Sequence, residues 1–173
     1  MRDDSYHPQE CLHNGLLVPV GDQAWAIQKD RCWMVRADHL EGLGFTLEAA
    51  KPYVTSLLRA VLDIGTLLAT PLKKPDLDEP RVAKVVNTPI PDDVWSRSPY
   101  LWDGTNFGPY VLYTHRGQVA AFNPEYHRRL SYLGGEWHLS DPLKQAHIVI
   151  KGETAALLMP CKIGLAPFPL VKP

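Results

Sequence analysis

The stretch Gln118–Ile163, Q-V-A-A-F-N-P-E-Y-H-R-R-L-S-Y-L-G-G-E-W-H-L-S-D-P-L-K-Q-A-H-I-V-I-K-G-E-T-A-A-L-L-M-P-C-K-I, decides how the chain is read. A strand ending at Phe122 runs into Asn123, a helix N-cap, with Pro124 at the first helical position and Glu125 behind it. The Asn side chain accepts an orphan N–H, Pro has none to lose, and Glu favours the positive helix end. Tyr126, Leu130 and Leu133 then recur at i, i+4 and i+7, which predicts one short helix with an apolar stripe. Gly134 and Gly135 stop it, because glycine takes the left-handed cap without steric cost. Strands are expected at Trp137–Leu139, His147–Lys151 and Ala155–Met159. The local grammar is strand, capped short helix, strand meander.

Working outward, Tyr110–Tyr113 and Gln118–Phe122 read as a hairpin over T-H-R-G. Leu16–Val20, Trp25–Gln28 and Cys32–Val35 read as short strands separated by Gly21-Asp22 and Lys29-Asp30-Arg31. The longest expected helix is Thr46–Ile64, with Val54, Leu57, Leu58, Val61 and Leu62 on one face and Gly65 after it. Residues 67–103 are the least legible: K-K-P-D-L-D-E-P-R is a proline-broken connection, and Val82–Val86 suggests a strand. Sixteen prolines punctuate the chain, which favours loops and short edge strands in the middle and near residue 173.

Length and composition bound the rest. At 173 residues, 45% hydrophobic and 21% charged, the chain can bury a real core. A net charge of -1 supplies no global field for nucleic acid, although a local basic surface remains compatible with it. Three cysteines without regular spacing argue against a disulfide scaffold and suit a reducing compartment. The opening M-R-D-D-S-Y-H-P-Q-E has no apolar signal core, and no run reaches the length of a membrane span. The expected location is cytoplasmic, with no membrane partner.

There is no G-x-S-x-G elbow, no phosphate-cradling glycine loop and no H-E-x-x-H. His7, Cys11, His13 and Cys32 lack the second close pair that a structural zinc site needs, so neither metal nor cofactor is expected. Asp92 and Asp93 are adjacent, and adjacent side chains diverge in extended chain, which favours a turn after Pro91. His115, His127, His138 and His147 lie in or beside the hairpin, helix and strands. Any two of them meeting in the fold would leave a histidine-dependent nucleic-acid enzyme as one alternative.

F-N-P-E-Y followed by L-x-x-L-G-G, then L-S-D-P-L and L-L-M-P-C-K-I, resembles the end of the bacterial DNA sliding clamp, the family of the DNA polymerase III beta subunit. The resemblance covers the last third of the chain, with its elements in the same order and at similar spacings. It implies an α+β fold: a single compact DNA-clamp-like domain over residues 15–164, with short antiparallel strands and two helices. Residues 1–14 are then a disordered terminus and 165–173 a proline-rich tail. It also implies a non-catalytic processivity or partner-docking factor of DNA replication, of small phage type. Its partners would be double-stranded DNA, replication proteins carrying a clamp-binding peptide, and other copies of the chain in a homo-oligomer.

Two sets of residues follow from the resemblance. In sliding clamps, basic residues on short helices meet the DNA backbone without reading bases. Arg128 and Arg129 stand in that place here, with Lys51 and Arg59 on the longer helix as further candidates. The terminal strand of a clamp helps wall an apolar pocket for peptides ending in Leu and Phe. Leu157, Leu158, Met159, Pro160, Cys161, Lys162 and Ile163 would form that wall. The chain departs from the pattern at Cys161 and Lys162, where Met and Arg are usual, and continues into G-L-A-P-F-P-L-V-K-P. Leu165, Phe168 and Leu170 in that continuation suggest a segment that folds back over the pocket. A clamp chain strings together several such domains, so this one either assembles from several copies or acts without encircling DNA. The second reading is a monomeric clamp-like adaptor or inhibitor of a replication protein.

Overall fold

A computed structural model describes residues 17–21, 23–27, 32–39, 79–103, 109–162 and 170–172. The helix expected at Thr46–Ile64, with Lys51 and Arg59, lies outside them, as do His7, Cys11, His13, Ile163, Leu165 and Phe168. The fold is α+β, built among the described residues of antiparallel strands and two short helices. The chain gathers into two compact units, Met1–Thr88 and Pro89–Pro173.

In the first unit, β1 (Leu17–Val20), β2 (Gln23–Ile27) and β3 (Trp33–Arg36) form an antiparallel meander, as their apolar runs and turn residues predict. Trp25, Ala26, Ile27, Trp33 and Val35 are buried. Helix α1 spans Glu79–Val86 and packs on β1. This corrects the strand expected at Val82–Val86. Three valines in five residues carry strand propensity, but Val82, Val85 and Val86 also fall at i, i+3 and i+4. Pro80 suits a first helical turn, and the helical bonding runs on to the Asn87 N–H, which donates to the Ala83 carbonyl at 2.9 Å.

In the second unit, β4 (Val94–Trp102), β5 (Tyr110–His115), β6 (Gln118–Phe122), β7 (Glu136–His138), β8 (Ala146–Ile150) and β9 (Glu153–Leu158) lie in the order β9-β8-β7-β4-β5-β6. A two-residue strand, β10 (Leu170–Val171), also pairs with β4. Strand β4 is the hub: Val94 and Trp95 pair with β7, Ser96 to Trp102 pair with β5 across a bulge, and Leu101 and Trp102 pair with β10. It did not announce itself in the sequence, because Ser96-Arg97-Ser98-Pro99 interrupts the alternation of a strand.

The β5–β6 hairpin closes on Arg116 and Gly117, both at positive φ (46° and 79°), as a two-residue turn of this hand requires. Lys151 and Gly152 repeat the device between β8 and β9, with φ of 51° and 80°. After β6, the Asn123 side chain accepts from Glu125 N–H at 2.9 Å and Tyr126 N–H at 3.4 Å, opening α2 (Pro124–Leu130). A 3-10 turn at Ser131–Leu133 follows, and Gly134 ends it in the left-handed conformation. The helix buries His127 and Leu130, while Tyr126 and Leu133 are only half-buried. The apolar stripe expected from Tyr126, Leu130 and Leu133 is thus turned by one position. Beyond Gly134, a Cβ on Gly135 would stand 2.6 Å from the Val149 carbonyl oxygen, so β7 begins where only glycine fits.

Leu158 ends β9, yet Cys161 already bridges Ala121 of β6, its N–H donating to the Ala121 carbonyl at 2.7 Å. Three residues span at most about 10 Å. The sheet of the second unit therefore curls until its two end strands approach, and α2 touches both β5 and β9.

Candidate functional site

Strand register sorts the second unit's side chains onto two faces, since cross-strand partners share a side and neighbours alternate. Val111 and Tyr113 of β5 share one face with Phe122 and Ala120 of β6. There Tyr113 stacks on Trp137 with ring centroids 4.4 Å apart, and Phe122 meets Trp137 edge-on at 5.2 Å. Helix α2 lays His127 onto this group, 5.2 Å from Trp137, and His127 Nε2 shares a 3.1 Å hydrogen bond with the Tyr113 hydroxyl. Burial, with Arg97 adding to it, pushes His127 down to about 4. Burial also pushes Tyr113 up to about 12, against a smaller opposing pull from Arg97. Both are neutral at pH 7, and this face is closed core.

The other face carries Tyr110, Leu112 and Ala121, buried, beside Trp102, Val119 and Cys161, half-buried. Trp102 and Tyr110 are cross-strand partners and stack at 5.2 Å. This face is the candidate docking surface, and the residues expected to wall a pocket divide around it. Leu157 and Leu158 are buried core. Met159 is 42% exposed, Pro160 half-buried, Cys161 inside the apolar patch, and Lys162 exposed. Ile163 lies outside the described residues. Burial raises the Cys161 thiol, against smaller opposing contributions from Asn123 and Tyr110, so it serves as a small apolar group there. Trp102 and Tyr110 were not singled out from the sequence; their cross-strand pairing is what marks them, and β4 was the strand that the sequence concealed.

Both helix arginines turn back onto Glu125. Arg128 Nη2 donates to Glu125 Oε1 at 2.7 Å, and Arg129 Nε donates to the same oxygen at 3.1 Å. Arg128 is 74% exposed and Arg129 only 15%. Arg128, bonding the carboxylate most strongly, holds Glu125 below the usual carboxylate range, with Arg129 helping. The i, i+3 and i, i+4 spacing from Glu125 is legible in the sequence and forecasts this pairing.

The remaining histidines are engaged with the framework. His115 Nδ1–H donates to the Val94 carbonyl at 3.0 Å, and its Nε2 lies 3.2 Å from Asp93 Oδ1, off the hydrogen-bond axis. His138 Nδ1–H donates to the Pro91 carbonyl at 2.8 Å. His138 and His147 are cross-strand partners, the one histidine pair that strand register aligns among the described residues, but His147 is 1% exposed and bonded to Thr154. Burial, with His138 adding to it, lowers the His147 pKa. Asp92 and His138 also line a cleft of about 660 Å³ with Glu136 and Lys151. Among the described residues, no three His, Cys, Asp or Glu side chains gather as metal ligands, and no helix is long and apolar enough to cross a membrane.

Comparison with protein-family models, curated proteins and solved structures finds no match to this chain.

Proposed function

We propose that this protein is a non-catalytic, clamp-like docking factor of DNA replication, a small phage-type relative of the sliding clamp. It offers an apolar surface to peptides of replication proteins and meets duplex DNA through backbone charge alone. One observation carries the reading. The run β6–α2–β7–β8–β9 is a strand, a capped helix and a three-strand meander, and Met159–Lys162 then return to β6 beside a half-open aromatic patch. The order of elements supports the resemblance seen in the sequence, and the patch supplies a surface suited to apolar side chains.

Solution mass by light scattering, with and without duplex DNA, tests it. A ring-sized oligomer that retains DNA is expected. Arg128→Ala should then lower the slope of log affinity against log salt by about one, the share of a single phosphate contact. A salt slope untouched by that change removes α2 from the DNA surface.

A second reading has its own support. Glu125 compensates part of the arginine charge on α2, and the whole chain carries a net charge of -1. Both favour a monomeric adaptor or inhibitor that docks on a replication protein without DNA. A clean monomer, indifferent to DNA, is the result that selects it.

A further inference from the structure

Strand β4 is shared along its length: β7 takes Val94 and Trp95, and β10 takes Leu101 and Trp102. Among the described residues the β10 pairing is two residues long, and Leu170, cross-strand from Trp102, is 55% exposed. Such a strand is lightly held. Register puts Leu170 on the face of Trp102, the face that carries the half-buried apolar patch. Tyr100, 38% exposed, carries the same strand one residue further.

We infer that the β4 edge at Leu101–Trp102 is a strand-addition site for an extended peptide, occupied in cis by Leu170–Val171. The inference rests on the docking reading above and narrows it to a mode of recognition. An incoming segment would pair its backbone with β4 and set a leucine-sized apolar side chain against Trp102. Backbone pairing supplies affinity, and the alternate side chains supply selectivity. A tethered strand competes at an effective concentration of about a millimolar, so even a two-residue pairing keeps weak peptides out. The chain's own segment is thus both the template for the partner's chemistry and its competitor.

The probe is a fluorescent peptide of the chain's own residues 164–173, G-L-A-P-F-P-L-V-K-P, supplied in trans. The full chain bearing Leu170→Pro and Val171→Pro cannot offer these N–H groups to β4. It should bind the peptide at least about tenfold more tightly than the unaltered chain, because the tethered competitor is gone. Adding Trp102→Ala should abolish that gain. Equal affinity with and without the prolines, or a gain that survives Trp102→Ala, overturns the inference.

The unaltered chain gives a second measurement that no folding defect can spoil. With an isotope-labelled chain and saturating unlabelled peptide, amide exchange of residues 170–172 should quicken as they are displaced. Unchanged exchange also overturns the inference. A peptide ending in Leu and Phe is the separate probe of the docking reading. If it fails while the chain's own peptide behaves as described, strand addition stands and the replication partner falls.

Discussion

The two faces of the curled sheet are built from the same kinds of residue and end up differently. One gathers Tyr113, Phe122 and Trp137 under a helix that seals them with His127. The other gathers Trp102, Tyr110 and Leu112, and among the described residues Val119, Ala121, Cys161 and a two-residue strand lie beside them. Aromatic content alone does not make a core. What separates the closed face from the half-buried one is whether an element with a strong start signal lies over it, and α2 has one in Asn123-Pro124-Glu125.

The sharpest way to break this comparison is to remove one tryptophan from each face. Trp137→Ala opens a cavity in packed surroundings and should cost about 4 kcal/mol of unfolding free energy by denaturant titration. Trp102→Ala, at a half-buried position, should cost about 2 kcal/mol or less. Equal losses would mean that the second face is as closed as the first.

Acid offers the next test, because the closed face contains a neutral histidine. His127 titrates near 4 when folded, against an ordinary value of 6.5. Between those values the unfolded chain binds the proton and the folded chain does not, so stability falls as pH drops. Over the whole window the loss is about 3 kcal/mol, with the histidine's contribution intact above 6.5 and spent below 4. His147 shifts in the same direction and adds to the slope. His127→Gln keeps a partner for Tyr113 without titrating, so its stability should vary less between pH 7 and pH 4. A slope identical to that of the unaltered chain would show that the closed face admits a charged imidazole.

The smallest effect concerns the lid. Asn123→Ala removes the acceptor for two helix N–H groups and should cost about 1 kcal/mol, read as a lowered thermal midpoint. If the cap holds α2 over the closed face, exchange at Tyr113 should quicken while exchange at Tyr110 stays unchanged.

Much of this contrast was legible in the sequence, and the missing parts share a cause. The Asn-Pro-Glu start, the Arg-Gly hairpin and the Gly134 stop are local signals, each complete within a few residues. The identity of α1 was hidden by valines that suit a strand as well as a helix face. Strand β4 was hidden because its partners, not its own alternation, make it a strand: Trp95 Nε1–H donates to the Leu139 carbonyl, 44 residues away. His127 was missed as core since a polar ring is buried only when a hydroxyl such as that of Tyr113 satisfies it. In the pocket wall expected from Leu157 to Ile163, core burial of some residues could be foreseen, but Leu157 and Leu158 are buried in succession and the aromatic half of the patch comes from β4 and β5.

The turn at Arg116–Gly117 decides more than where a hairpin ends. In β5 the odd-numbered residues Val111 and Tyr113 face the helix, and the even-numbered Tyr110 and Leu112 face the patch. Closed and open are therefore a matter of parity, counted from a turn of two residues at positive φ. One residue inserted there would shift the count of β6 against β5, leaving Phe122 paired on the side where the sheet now keeps Ala121. The protein stores the difference between its two faces as a single even or odd number.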